Sequence, residues 1–174
     1  GELRRPERSP DLRGRRILLV DDNATARQIL AEMLLALKFH VETATSGEEA
    51  VTMLDRAKHE EAGHGFDLVL MDYKMPGEDG LEISRRIREK HGVPTAGPPI
   101  VMVTNYDEDG VRIASAQLGL EGFLVKPVTP SKLLNGIARA LRQEQAPAVS
   151  FAPELPRSHA VLAGKRVLLV EDNE

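Results

Sequence analysis

The sequence predicts an α/β fold, a parallel sheet with helices on both faces. Two observations predict it. Short apolar runs with no polar alternation recur along the chain, as in strands buried on both faces. Between them lie segments with apolar residues at helical spacing, five of each in strict alternation. Such alternation joins parallel strands through right-handed helical crossovers.

Residues 16–20 hold the first run, bounded by charges. Ile29, Leu30, Met33, Leu34 and Leu37 then recur as one face of a helix. Residues 40–44 fit a short strand. Ser46 with Glu49 forms a capping box, which opens a helix expected to run to about residue 62. Residues 67–71 form another fully apolar strand, and Leu81, Ile83 and Ile87 set a helix running to about His91. Residues 100–103 are a buried strand, followed by a helix over 108–118 that stops at Gly119. Residues 122–125 give the last strand. Pro130 opens the last helix, with Leu133, Leu134, Ile137 and Leu141 on one face. The charged loop 58–65 and the Pro- and Gly-rich loop 92–99 are expected on the surface, away from any site.

Composition excludes several classes of function. The chain of 174 residues has 41% hydrophobic and 29% charged residues, a globular profile. Its net charge of −4 and pI near 5.8 give no electrostatic footprint for nucleic acid. With no Cys, disulfides, thiolate-held metals and thiol catalysis are excluded, and the cytoplasm is the expected compartment. No apolar run approaches the length of a membrane span. The five histidines, at 40, 59, 64, 91 and 159, show no metal-ligand spacing.

The sequence repeats itself. Gly14-Arg15-Arg16-Ile17-Leu18-Leu19-Val20-Asp21-Asp22-Asn23 returns 150 residues later as Gly164-Lys165-Arg166-Val167-Leu168-Leu169-Val170-Glu171-Asp172-Asn173, with conservative differences only. This organisation suggests a domain over 14–142, a linker over 143–163 carrying Pro147, Pro153 and Pro156, and the first strand of a second copy over 164–174. Residues 1–13, rich in Arg and Pro, fit a linker from an upstream region.

The chemistry lies at the strand ends, since ligands of open parallel sheets bind beyond the carboxyl ends of the strands. Asp21 and Asp22 follow the first strand, Asp72 the third, Thr104 the fourth and Lys126 the fifth. With the first and third strands adjacent, about 4.8 Å apart, the three carboxylates converge. Such a cluster repels itself unless a cation joins it. Oxygen ligands without Cys or His favour Mg²⁺. A Lys and a Thr facing an acidic metal site make a place for a phosphoryl group.

Residues 14–142 resemble the receiver domain of two-component response regulators. The motifs are Leu-Val-Asp-Asp-Asn at 19–23, Leu-Met-Asp-Tyr-Lys-Met-Pro at 70–76, Val-Thr at 103–104 and Gly-Phe-Leu-Val-Lys-Pro at 122–127. The resemblance implies a flavodoxin-like (βα)5 sheet of order 2-1-3-4-5. It implies that Asp72 is the phosphoacceptor, taking a phosphoryl group from a phosphohistidine on a donor domain. Asp22, Asp72 and the backbone carbonyl of Lys74 would hold Mg²⁺, with Asp21 joining directly or through water. Lys126 and Thr104 would bind phosphoryl oxygens, Phe123 would be the switch aromatic, and the Lys126–Pro127 bond would be cis. The domain would catalyse its own phosphorylation and, slowly, its own dephosphorylation.

Each residue also has a plainer reading. Asp21 and Asp22 can cap the first helix with Asn23, Asp72 can be a loop acid before the Pro76-Gly77 turn, and Phe123 can be ordinary core. The five positions together carry the resemblance. Asn105 departs from it, standing where the family has a small residue. Lys74 and Tyr106 hold positions that tune phosphoryl lifetime in relatives. No Gly-rich phosphate loop is present, so the chain is not a kinase by itself.

The repeat suggests the first of tandem receivers in a hybrid sensor histidine kinase, with the second receiver as an adjacent partner. The domain itself would make no direct membrane contact, although such a parent would be anchored in the inner membrane. Strand 166–170, with no domain to join, can add to a sheet edge and give a weak homodimer. The alternative function is a pseudo-receiver, never phosphorylated, that serves as a docking module.

Overall fold

The computed structural model describes residues 11–60, 65–91, 97–105 and 109–143. The second copy at 164–174, both ends of the chain and Tyr106 lie outside the described residues, as do the centres of the two loops expected on the surface.

Five strands and five helices alternate: β1 (Arg16–Val20), α1 (Ala24–Ala36), β2 (His40–Ala44), α2 (Gly47–His59), β3 (Leu68–Asp72), α3 (Gly80–His91), β4 (Ile100–Thr104), α4 (Asp109–Gln117), β5 (Gly122–Val125) and α5 (Pro130–Gln143). All pairings are parallel, in the order β2-β1-β3-β4-β5. This is the flavodoxin-like doubly wound sheet.

The pleat divides each strand between two cores. Leu18, Val20, Val69, Met71, Ile100 and Met102 face α2 and α3, where they meet Val51, Leu54, Ile83 and Ile87. Ile17, Leu19, Leu68, Leu70, Val101 and Val103 face α1 and α5, meeting Leu30, Leu34, Leu133 and Ile137. A strand buried on both faces has no polar face to show, so its sequence does not alternate. Half of the Ser46 capping box forms as expected: its hydroxyl accepts from Glu49 N–H at 3.2 Å, but the Glu49 carboxylate accepts from Thr45 N–H at 2.7 Å, one residue before the cap.

Four boundaries differ from expectation in ways that bear on side-chain contacts or on the site. Helix α2 ends at His59 rather than near residue 62, because Glu60 turns extended and its carboxylate meets Arg16 Nη1 at 3.2 Å. Asp67 stands outside β3, its carboxylate accepting from Arg16 N–H at 2.7 Å and Arg15 Nη1 at 2.8 Å. Asp72 and Thr104 are the last residues of their strands rather than the first beyond them.

At the far end of α3, His91 is buried beside Asp55, with 3.4 Å between Nε2 and Oδ1. Burial holds its imidazole below the usual pKa; Lys58 and Lys90 act in the same direction, and Asp55 opposes them. The unfolded chain therefore binds this proton more readily than the native one. Native stability is intact above the unfolded value of about 6.5 and falls as pH drops below it. Melting temperature should fall between pH 7.5 and 5.5, and His91→Gln should flatten that fall. An equal pH dependence in the variant would show that other groups cause it.

Candidate functional site

Asp21, just past β1, and Asp72, the last residue of β3, meet at the carboxyl ends of these adjacent parallel strands. Asp21 is fully buried and Asp72 is 5% exposed, while Asp22 is exposed. Each of the three offers a carboxylate oxygen within 4.8 Å of the others. They line a cleft of about 460 Å³ together with Asn23, Lys74, Asn105 and Lys126. Lys126, the residue after β5, lies across from them. Its Nζ donates to Asp72 Oδ1 at 2.7 Å and to Asp21 Oδ2 at 3.3 Å. The Lys126–Pro127 peptide is cis.

One ammonium faces three carboxylates, and the electrostatics follow. Burial pushes the Asp72 carboxyl above its ordinary range; Asp21 and Asp22 add to this and Lys126 opposes it. Burial also works against the Lys126 ammonium, but the hydrogen bond and charge of Asp72, with Asp21, outweigh it and hold its pKa above the usual lysine value. The excess negative charge, the all-oxygen donor set and the open cleft fit a hard divalent cation such as Mg²⁺. Asp21, Asp22 and Asp72 are the side chains that would hold it.

Thr104 is 2% exposed at the end of β4 and does not line the cleft, whereas its neighbour Asn105 does. Phe123 is half-buried on β5 against the α2–α3 core, with the Arg112 guanidinium 5.3 Å from its ring centroid.

Residues 17–138 match the family described as the response regulator receiver domain. The chain belongs to that family. The receiver is 35% identical over 128 residues to the transcriptional regulatory protein ResD of Bacillus subtilis, which covers 74% of this chain and 48% of that protein. It is 31% identical over 140 residues to the probable transcriptional regulator ycf27 of Cyanophora paradoxa, covering 80% of this chain and 54% of that one. The chain thus spans about half the length of these curated relatives. Among solved structures, the chemotaxis protein CheY4 of Vibrio cholerae is similar at 29% identity and a TM-score of 0.63, covering 73% of this chain and 98% of that one. A receiver domain protein from Clostridium thermocellum is similar at 26% identity and a TM-score of 0.65, covering 75% and 97%. Among the described residues no helix is long and apolar enough to cross a membrane.

Sequence reasoning left three supports of the receiver site unseen. Asn23 does more than cap α1 by accepting from Ala26 N–H at 3.0 Å: its own N–H donates to Asp21 Oδ1 at 2.8 Å. The signal was the Asn directly before a helix. Gly80 packs against the main chain of Asp72: a Cβ there would lie 2.3 Å from the Asp72 carbonyl oxygen. Arg27 Nη1 donates to the Asp21 carbonyl at 2.7 Å. Neither of these two contacts leaves a local sequence signal.

Proposed function

We propose that this receiver takes a phosphoryl group from a phosphohistidine onto Asp72 and changes conformation to signal. The observation that carries the reading is the meeting of Asp21, Asp22, Asp72 and Lys126 in one cleft. An Asp72 carboxylate oxygen attacks phosphorus, the P–N bond breaks, and the imidazole leaves and takes up a proton. The product is a mixed acyl phosphate. Mg²⁺, when bound, supplies charge neutralisation for the phosphoryl oxygens. Lys126 exchanges its bond to Asp72 for one to a phosphoryl oxygen, and the Thr104 hydroxyl donates to another. As Thr104 is drawn toward the cleft, Phe123 moves inward from its half-buried place, leaving the Arg112 guanidinium. The Lys74 carbonyl would add one more oxygen ligand, with water filling the remaining positions of the ion. Lys74 and Asn105 at the rim affect phosphoryl lifetime.

The phosphoryl donor in this reading is a histidine kinase or phosphotransfer domain, and the compartment is the cytoplasm. The 150-residue repeat supports a second receiver as the neighbour in the parent chain, with 1–13 and 143–163 as linkers. A hybrid sensor kinase as that parent rests on the repeat alone; the relatives named above are transcriptional regulators. A weak homodimer through the apolar segment 166–170 belongs to the same proposal.

The test is phosphorylation of the full chain by phosphoramidate with Mg²⁺, read by mass spectrometry. We expect a gain of one phosphoryl group that disappears with EDTA and in Asp72→Asn. A folded wild type that takes up no phosphoryl and binds no beryllofluoride would overturn the reading in favour of a docking module.

A further inference from the structure

We propose that Arg27 is a positioning residue for the cation site, acting through the peptide plane between Asp21 and Asp22. The inference rests on the receiver reading above and deepens it. Arg27 sits one turn into α1, half-buried, and its Nη1 donates to the Asp21 carbonyl oxygen at 2.7 Å. That oxygen belongs to the peptide that joins the two acidic residues.

Asp21 is anchored from every other side. Its N–H donates to Ala44 O at 3.2 Å, its Oδ1 accepts from Asn23 N–H at 2.8 Å, and its Oδ2 accepts from Lys126 Nζ at 3.3 Å. Asp22 differs: it is exposed, and its carboxylate takes its aim from the main chain that carries it. A peptide group is planar, so fixing the Asp21 carbonyl also fixes the N–H and Cα of Asp22. The Arg27 bond thus sets the point from which the Asp22 carboxylate departs. A Cα rotated by a wrong peptide plane would swing that carboxylate away from Asp21 and Asp72.

The guanidinium is always protonated, so its donor is present at every working pH. Its field also reaches Glu49, whose carboxyl is held low chiefly by hydrogen bonds from Thr45. Arg27 therefore stands between the loop that follows β1 and the loop that follows β2. The anchoring of α1 itself is supplied elsewhere, by the Asn23 cap and by buried Leu30 and Leu34. The guanidinium serves the site rather than the core.

Outer groups that orient metal ligands typically carry a tenfold to hundredfold share of metal affinity. The experiment is calorimetric titration of Mg²⁺ into EDTA-stripped full chain, as wild type, Arg27→Met and Arg27→Lys, with melting temperature in EDTA measured alongside. We expect Arg27→Met, which keeps the stem and loses the donor, to bind Mg²⁺ about tenfold more weakly with little change in melting. Arg27→Lys, which keeps a charge and a donor, should recover most of the loss. Mg²⁺ binding by Arg27→Met within about twofold of wild type would overturn the inference while leaving the receiver reading intact. So would a loss shared equally by Arg27→Lys and matched by lowered melting in EDTA, which would assign Arg27 to packing. Absence of Mg²⁺ binding by wild type would instead count against the receiver reading itself.

Discussion

Replacing Glu121 by Ala should cost about 3 kcal/mol of folding stability, the low end of the range for breaking a buried ion pair. Glu121 lies just before β5. Both of its carboxylate oxygens accept from Arg88 Nη2 at 2.6 Å, and Oε2 also accepts from the Ile100 N–H at 2.7 Å. Arg88, on α3, is 4% exposed, so its charge stays largely out of water once the carboxylate is gone. Its one other described bond, to the Gly119 carbonyl at 3.3 Å, is long for a charged donor. The low end of the range applies because Glu121 itself is 18% exposed. Removing both charges should hurt less than removing one: Arg88→Met with Glu121→Gln leaves no unpaired charge and keeps an acceptor for Ile100 N–H. Denaturant melts of the two single variants and the double would measure this coupling directly. A loss below about 1 kcal/mol in Glu121→Ala would mean that Arg88 finds water after all. The consequence for function is local, because Glu121 opens the strand that carries Phe123 and then delivers Lys126. A loosened β5 should therefore also weaken the hold of Lys126 on Asp72.

Much of this architecture was legible in the sequence, and the reason is physical. Strands buried on both faces cannot hide polar residues, so Ile17 to Val20, Leu68 to Met71 and Ile100 to Val103 appear as uninterrupted apolar runs. The same burial makes a charged residue at the end of such a run conspicuous, which exposed Asp21 and Asp72 to reading, whereas Lys126 follows the half-buried edge strand β5 and stood out by its place before Pro127. What remained hidden depends on approach between distant segments. Arg88 looks like any basic residue in the last turn of a helix, where it would be expected in solvent. Only the crossing of α3 over the loop before β5 makes it buried and paired. Arg27 looks like a solvated helix residue until α1 folds back across the end of β1. The end of α2 was misplaced for a similar reason, since Glu60 leaves the helix toward Arg16, 44 positions away in sequence.

Gly80 is the sharpest case of such hidden dependence, and Gly80→Ala should destabilise the receiver by about 1–3 kcal/mol and weaken Mg²⁺ binding with it. In most helices this change goes the other way: alanine lowers the entropy of the unfolded chain and gains about 0.4–1 kcal/mol. Gly80 cannot follow that rule. Its N–H donates to the Tyr73 carbonyl at 2.8 Å, which draws the start of α3 onto the end of β3. An added Cβ would stand 2.3 Å from the Asp72 carbonyl oxygen and 3.1 Å from Met102 Sδ. The nearer obstacle is backbone, so no rotamer change relieves it. Either α3 moves off the sheet, at the expense of Ile83 and Ile87 packing, or the Asp72 main chain shifts and its carboxylate moves with it. Gly110 provides the contrast. It also lies at the start of a helix, α4, and a Cβ there would meet nothing within 4 Å. Gly110→Ala should therefore stabilise, by about 0.4–1 kcal/mol. Opposite signs for two Gly→Ala changes in two helix starts of one domain separate propensity from contact. Melts of both variants, with Mg²⁺ titration of each, would test it. Stabilisation by Gly80→Ala with unchanged Mg²⁺ affinity would mean that α3 yields freely and that Asp72 does not depend on where that helix begins.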